Sequence, residues 1–221
     1  MFSLDNSDCV VFAEHTYAMA LSQSWEEFFW MLQRIRYKDG VIGVATRNHY
    51  TEVDWNIANR WLVTDISAEL SGPTGPRYPL TVDRAKFLKT RHGTERSIPV
   101  QNSIEAFVAR ENVGAVAAQL QEGDFVNVIS TRNGGYWASH VGMVVLGPNG
   151  ERNFLHSSEP QVREESFDAF IARGDFAPVF NWLREHIWQP ASRWTTDELA
   201  QRASGAPLVV RESPRRPGDV A

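Results

Sequence analysis

Cysteine is almost absent from this chain: Cys9 is the one thiol in 221 residues. No intramolecular disulfide can form, which excludes a stapled miniprotein. There is also no run of about 18 apolar residues, so no membrane-spanning helix is expected. An excess of basic charge is missing too, since 22 Lys and Arg face 27 Asp and Glu for a net charge of −5. That balance argues against phosphate-backbone binding, and neither a nucleic-acid nor a membrane partner is expected. No internal repeat occurs, nor any Cys-x-x-Cys or His-x-x-x-His pair of the kind metal sites often carry. Zinc is therefore disfavoured, and no metal or other cofactor is expected. Met1-Phe2-Ser3-Leu4-Asp5 has no basic n-region and no apolar h-region, the two parts of an export signal. Because a reactive residue at position 9 would have little supporting structure before it, a further segment upstream is expected.

What remains is ordinary globular material, 43% hydrophobic and 22% charged, long enough for one domain with a proper core. Asn6-Ser7-Asp8 offers three N-cap candidates ahead of an apolar segment from Cys9 to Leu21, which predicts a buried helix. Ser24-Trp25-Glu26-Glu27 is a capping box. It opens a second helix with Trp25, Phe28, Phe29, Leu32 and Ile35 at helical spacing and Arg34, Arg36 and Lys38 near its end. Trp25 and Trp30 are assigned to the core. A short strand is expected over 63–66, a loop over 71–76 and a helix over 113–120.

Beyond Gly123 the pattern becomes strand and turn. Strands are expected over 125–129, 141–146 and 153–157, with turns at Asn133-Gly134-Gly135 and Pro148-Asn149-Gly150. A helix over 167–172 and a strand over 179–183 complete the domain. Residues 191–221 are a polar tail with one helical turn near 197–203. Helices first and an antiparallel sheet second indicate the α+β class.

Cys9 falls in the first turn of the first helix, where unpaired N–H groups and the helix dipole favour a thiolate. The plain alternative is a small buried hydrophobe, the commoner fate of a free cysteine. Asp8 is either a cap or a substrate contact, and its charge opposes thiolate formation. His140 and His156 flank one proposed hairpin. If it centres on Pro148, paired residue numbers sum to 296 and the two histidines stand directly opposite on one face. That suits a base and the residue orienting it. A helix-borne cysteine followed by sheet-borne histidines is the papain-like order.

Several of these segments resemble the NlpC-type superfamily of papain-like cysteine hydrolases from bacterial cell walls. They are Asp8-Cys9, Gly123-Asp124-Phe125-Val126, Ser139-His140-Val141-Gly142-Met143 and Phe154-Leu155-His156-Ser157-Ser158. Asp8-Cys9-Val10-Val11-Phe12-Ala13-Glu14, Arg36-Tyr37-Lys38-Asp39-Gly40, Arg47-Asn48-His49-Tyr50 and Asp54-Trp55 resemble its N-acetylmuramoyl-L-alanine amidase-like branch. The similarity runs from about residue 4 to about residue 184. It implies a papain-like fold, N-terminal helices packed on a central antiparallel sheet, with residues 1–190 as the catalytic domain.

The resemblance further implies Cys9 as nucleophile, His140 as general base and acid, and His156 as the residue orienting His140. The implied reaction is hydrolysis, through a thioester, of the amide between N-acetylmuramic acid and L-alanine in peptidoglycan or muropeptides. The alternatives are a γ-D-glutamyl–diaminopimelate endopeptidase on the same triad and a non-catalytic wall-binding module. A toxin delivered into rival cells would also fit. The family implies a periplasmic or cell-envelope location. Asp8, Tyr37, Arg47, Asn48, His49 and Tyr50 are the substrate-binding candidates. Arg47 would hold a carboxylate, and Tyr37 and Trp55 would stack on a sugar. The competing reading makes this group a buried, hydrogen-bonded loop supporting the cleft. Alanine is common in the family at the position of Ser157, a change expected to matter little.

Overall fold

Asp8 is the cap that starts the chain's first helix: its side chain accepts a hydrogen bond from the Val11 N–H at 2.7 Å. In the computed structural model, which describes residues 7–132, 134–159 and 161–173, helix α1 spans Cys9–Ala20. Helix α2 spans Trp25–Arg36. Ser24 Oγ accepts from the Glu27 N–H, and the Glu27 carboxylate accepts from the Gln23 N–H, so the expected box closes one residue early. The helix buries Phe28, Leu32 and Ile35, a stripe at i, i+4 and i+7. Trp25 and Trp30 lie off that stripe and are 61% and 63% exposed, which corrects their assignment to the core.

After α2 the chain turns back on itself. Tyr37 and Arg47 form an isolated antiparallel bridge, and a π-helical turn, Thr51–Trp55, runs into a single turn of helix, α3, Asn56–Ala58. Trp55 is fully buried in the helical core with Ala18, Phe28, Leu32 and Ile35. It stacks on Phe125 at 4.3 Å, which joins the helical layer to the sheet that follows. The expected strand over 63–66 does not form. Leu62 and Val63 pack against the helical core as turn and loop residues instead.

Residues 67–112 carry elements that sequence patterning left blank. They are helix α4 (Ser67–Ser71), strand β1 (Arg77–Val82), helix α5 (Arg84–His92) and strand β2 (Gln101–Ala106). β1 and β2 form a two-stranded antiparallel sheet. Tyr78, Leu80 and Val82 alternate inward along β1 and build a second small core with Val53. Pro79 is tolerated because a two-stranded sheet is all edge. Helix α6 (Val113–Ala117) occupies part of the expected 113–120 helix.

The second sheet is an antiparallel meander of β3 (Phe125–Arg132), β4 (Gly135–Leu146), β5 (Arg152–Ser158) and β6 (Gln161–Ser166). The turns at Gly134 and at 148–150 fall where expected; β6 is additional. Helix α7 (Phe167–Arg173) follows, as anticipated for 167–172. The fold is therefore mixed α/β with N-terminal helices and antiparallel sheets. The expected strand over 179–183, the 191–221 tail and its helical turn lie outside the described residues.

One buried carboxylate ties the first two helices to the loop beyond them. Glu14 of α1 is wholly buried and accepts from Arg36 Nε at 2.8 Å and from Arg47 Nη1 at 2.6 Å. Arg47 Nη1 also donates to the Arg36 carbonyl, and the side chains of Asn48 and Asn59 both donate to the Ile35 carbonyl. The final carbonyls of α2 are thereby satisfied from side chains. Glu14→Ala leaves two guanidinium groups without their counter-charge. It is expected to cost about 3 kcal/mol, since breaking one side of a buried pair is far worse than losing a surface bridge. A fall in the urea midpoint at unchanged slope is the check; a midpoint within error of wild type contradicts it.

Candidate active site

Cys9 is the first residue of α1, and its thiol is partly buried. The backbone N–H groups of Val141, the residue after His140, and of Val10 and Cys9 at the helix start face the sulfur and favour its charged form. These pull the thiol pKa down, as the helix terminus was expected to do. Burial is the larger effect and the Asp8 carboxylate adds to it, so the thiol is pushed up to about 11. The sequence-based expectation of a lowered value is thus reversed. At neutral pH the group is therefore a protonated thiol.

His140 and His156 meet, but not by the expected register. β4 and β5 pair Met143 with Leu155 and Val144 with Phe154. Their numbers sum to 298, so the hairpin centres on Asn149 rather than Pro148. A shift of two in the sum preserves the face while turning direct opposition into a diagonal. Across that diagonal His140 Nε2 and His156 Nδ1 are hydrogen-bonded at 2.9 Å. His156 is fully buried, its ring stacked on Phe154 at 4.7 Å. On its other side His156 Nε2 lies 2.8 Å from Glu165 Oε1 of β6.

Local backbone features aim these rings. The β3–β4 register pairs Val128 with His140 but Ile129 with Ala138, so Ser139 is the extra residue of a bulge directly before His140. Ser139 Oγ donates to the Val128 carbonyl, and Glu52 Oε1 accepts from the Ala138 N–H at 2.6 Å, pinning the bulge from both sides. Gly142 follows for a steric reason. A Cβ there would lie 2.5 Å from the Phe154 ring and 2.6 Å from the Leu155 carbonyl oxygen, so only glycine lets β5 approach this closely. Ser157 Oγ donates to the Ser7 carbonyl at 3.0 Å and ties the segment entering α1 to β5. A residue expected to matter little is therefore a tether.

A cleft of about 600 Å³ adjoins the start of α1. Asp8, Tyr37, Arg47, Asn48 and His49, five of the six substrate-binding candidates, line it with Val10, Thr51 and His92. Tyr50 does not; its ring packs against Phe87 and the Arg84 guanidinium. Trp55 is fully buried in the core, leaving no face for a sugar. Within the cleft the candidates also have structural partners. Arg47 is held by Glu14, Asn48 by the Ile35 carbonyl and His49 Nε2 by the Val44 carbonyl at 2.8 Å. Burial first, then the nearby Arg47 and His92, lowers the His49 pKa, so this ring faces the cleft as a neutral group. The buried supporting loop and the cleft wall are one and the same structure.

Glu14, Glu52, Glu165 and Ser157 were missed by sequence reasoning. Glu165 becomes visible only once the register is known. In the β5–β6 register His156 faces Arg163, so Glu165 stands one diagonal away on the same face. Among the described residues no group of three or more His, Cys, Asp or Glu side chains is arranged to hold a metal ion. No described helix is long and apolar enough to cross a membrane.

The chain is similar to several solved structures. A Legionella pneumophila protein aligns at TM-score 0.63 and 19% identity, covering 76% of this chain and 72% of its own. An N-acetylmuramoyl-L-alanine amidase from Bacteroides uniformis aligns at 0.60 and 20%, covering 75% and 78%. A putative xylanase from Bacteroides fragilis aligns at 0.59 and 22%, covering 78% and 83%. At these identities the likeness is one of fold. No curated protein matches the chain. The model of the AmiA-like family, described as N-acetylmuramoyl-L-alanine amidase-like, matches residues 1–173, and the chain belongs to that family.

Proposed function

We propose that the protein is a cysteine amidase of the papain-like, NlpC-type kind, cleaving the amide between the lactyl group of N-acetylmuramic acid and L-alanine. The observation that carries this reading is the 2.9 Å contact between His140 and His156, on a strand whose Val141 N–H faces the Cys9 thiol at a capped helix start. Family membership supports the bond. The substrate is peptidoglycan or its fragments, and the site of action is the cell envelope.

In this mechanism His140 takes the Cys9 proton, and Sγ attacks the amide carbonyl carbon. The carbonyl oxygen gains the negative charge, and the Cys9 backbone N–H at the helix start stabilises it. Collapse breaks the C–N bond as His140 returns its proton to the departing amine. The thioester is then attacked by water, which gives one proton to His140 and releases a carboxylic acid and the thiol. His156 holds the His140 ring in orientation throughout. The cleft beside Asp8 and Arg47 receives the sugar and peptide, while the 191–221 tail lies beyond the catalytic domain.

Two measurements test this. Incubation with a defined muropeptide, with products weighed, is expected to yield free muramyl sugar and an intact stem peptide, lost in Cys9→Ala. A truncated peptide instead identifies a γ-D-glutamyl–diaminopimelate endopeptidase, and unchanged hydrolysis by Cys9→Ala rejects the nucleophile. The second measurement uses the raised thiol pKa. A thiol at about 11 is ionised to only about one part in ten thousand at pH 7. If His140 takes the proton as the thiol reacts, His140→Ala is expected to slow iodoacetamide alkylation at pH 7 by at least about tenfold. Equal rates in the two proteins contradict His140 as the base.

A further inference from the structure

Three polar side chains lie on one diagonal across neighbouring strands: His140 on β4, His156 on β5 and Glu165 on β6. A carboxylate only accepts hydrogen bonds, so the proton between Glu165 Oε1 and His156, 2.8 Å apart, sits on His156 Nε2. A neutral imidazole carrying its proton there presents a lone pair at Nδ1. His156 Nδ1 is thus the acceptor in the 2.9 Å bond, and His140 Nε2 the donor. By the same rule the neutral His140 ring keeps its lone pair on Nδ1, the nitrogen that can take a proton from a thiol.

We propose that Glu165 is a positioning residue that fixes both imidazole tautomers, holding His156 as the Nε2–H form so that His140 is always set as a base at Nδ1. This rests on the reading of His140 as the group that takes the Cys9 proton. Once it does, the His140 imidazolium donates from both nitrogens, and His156 accepts without changing tautomer. No proton moves between the rings, and Glu165 stays an acceptor. Without Glu165, His156 would also hold its proton on Nδ1. Two donors would then oppose each other, or His140 would turn its protonated nitrogen to the thiol and cease to be a base.

The charges around the pair fit this assignment. On β6, Arg163 stands directly across from His156 and opposes any positive ring, whereas Glu165 favours one. From α1 come Cys9 and Asp8. β3 places Val128 opposite His140, and α7 lays the Phe170 ring along it at 6.3 Å, neither of them charged. Glu165 is the carboxylate bonded to the pair.

Long-range ¹H–¹⁵N correlation spectra of the full chain report which nitrogen of each histidine is protonated, with no substrate present. His156 is expected as the Nε2–H form, shifting to Nδ1–H or a mixture in Glu165→Ala and returning toward Nε2–H in Glu165→Asp. With the muropeptide, Glu165→Gln keeps the volume but loses the charge. Its kcat should fall about tenfold or more at little changed KM, with the His140 limb of the pH profile moved to lower pH. That direction follows because the imidazolium loses a negative neighbour. A wild-type His156 protonated on Nδ1, or variants with unaltered tautomers and pH profile, overturns the proposal. Failure of the triad reading is seen separately, as hydrolysis surviving Cys9→Ala, while the spectra decide the role of Glu165 either way.

Discussion

Everything that positions the cleft depends on the Glu14 carboxylate. It sits one turn into α1, beyond the thiol, and binds a guanidinium from the end of α2 and another from the loop after it. Because Arg47 also bridges Tyr37 through the backbone, the same interaction closes the 37–47 loop that forms one cleft wall. Two cations on one buried anion leave a net positive charge at the wall of a cleft that Arg47 itself lines, with the Asp8 carboxylate also in its lining. That charge makes Arg47 a supporting residue and a source of field, with three of its N–H donors given to Glu14 and the Arg36 carbonyl.

The sheet contributes differently. Its meander puts His140, His156 and Glu165 on three successive strands, and a period of two keeps all three on one face. A bulge at Ser139 and a glycine at 142 adjust the backbone by the fractions of a turn that the rings need. Burial of Cys9 raises the cost of its thiolate above what helix-start N–H groups recover. In the proposed reaction, a base of fixed tautomer is the complement to that thiol. Strand, bulge and carboxylate together hold the two histidine rings in one hydrogen-bonded row with Glu165.

Much of this was legible in the sequence, for local reasons. Asp8 and Ser24 announce their helices by capping chemistry, and Asn133-Gly134-Gly135 and Pro148-Asn149-Gly150 announce the turns between β3, β4 and β5. The His140–His156 pairing survived an error of two in the hairpin register because parity, not exact opposition, decides the face. What stayed hidden depends on tertiary contact. Glu14 looks like a surface residue within an apolar helix until Arg36 and Arg47 arrive from elsewhere in the chain. β6 is a polar edge strand with little periodic signal, so Glu165 was invisible without the register. Trp25 and Trp30 show the opposite failure: hydrophobic residues beside a buried stripe are not thereby part of it.

The central claim is covalent, that Cys9 carries the acyl half of the cleaved amide. Rapid acid quench of the protein with a muropeptide, followed by intact and peptide mass spectrometry, tests it most directly. The account predicts a transient adduct on Cys9 with the mass of the muramyl acyl group and no attached amino acids. An adduct that includes L-alanine and D-glutamate would move the cleaved bond down the stem peptide. Turnover with no adduct on Cys9 at any time, under conditions that trap thioesters, would contradict the account.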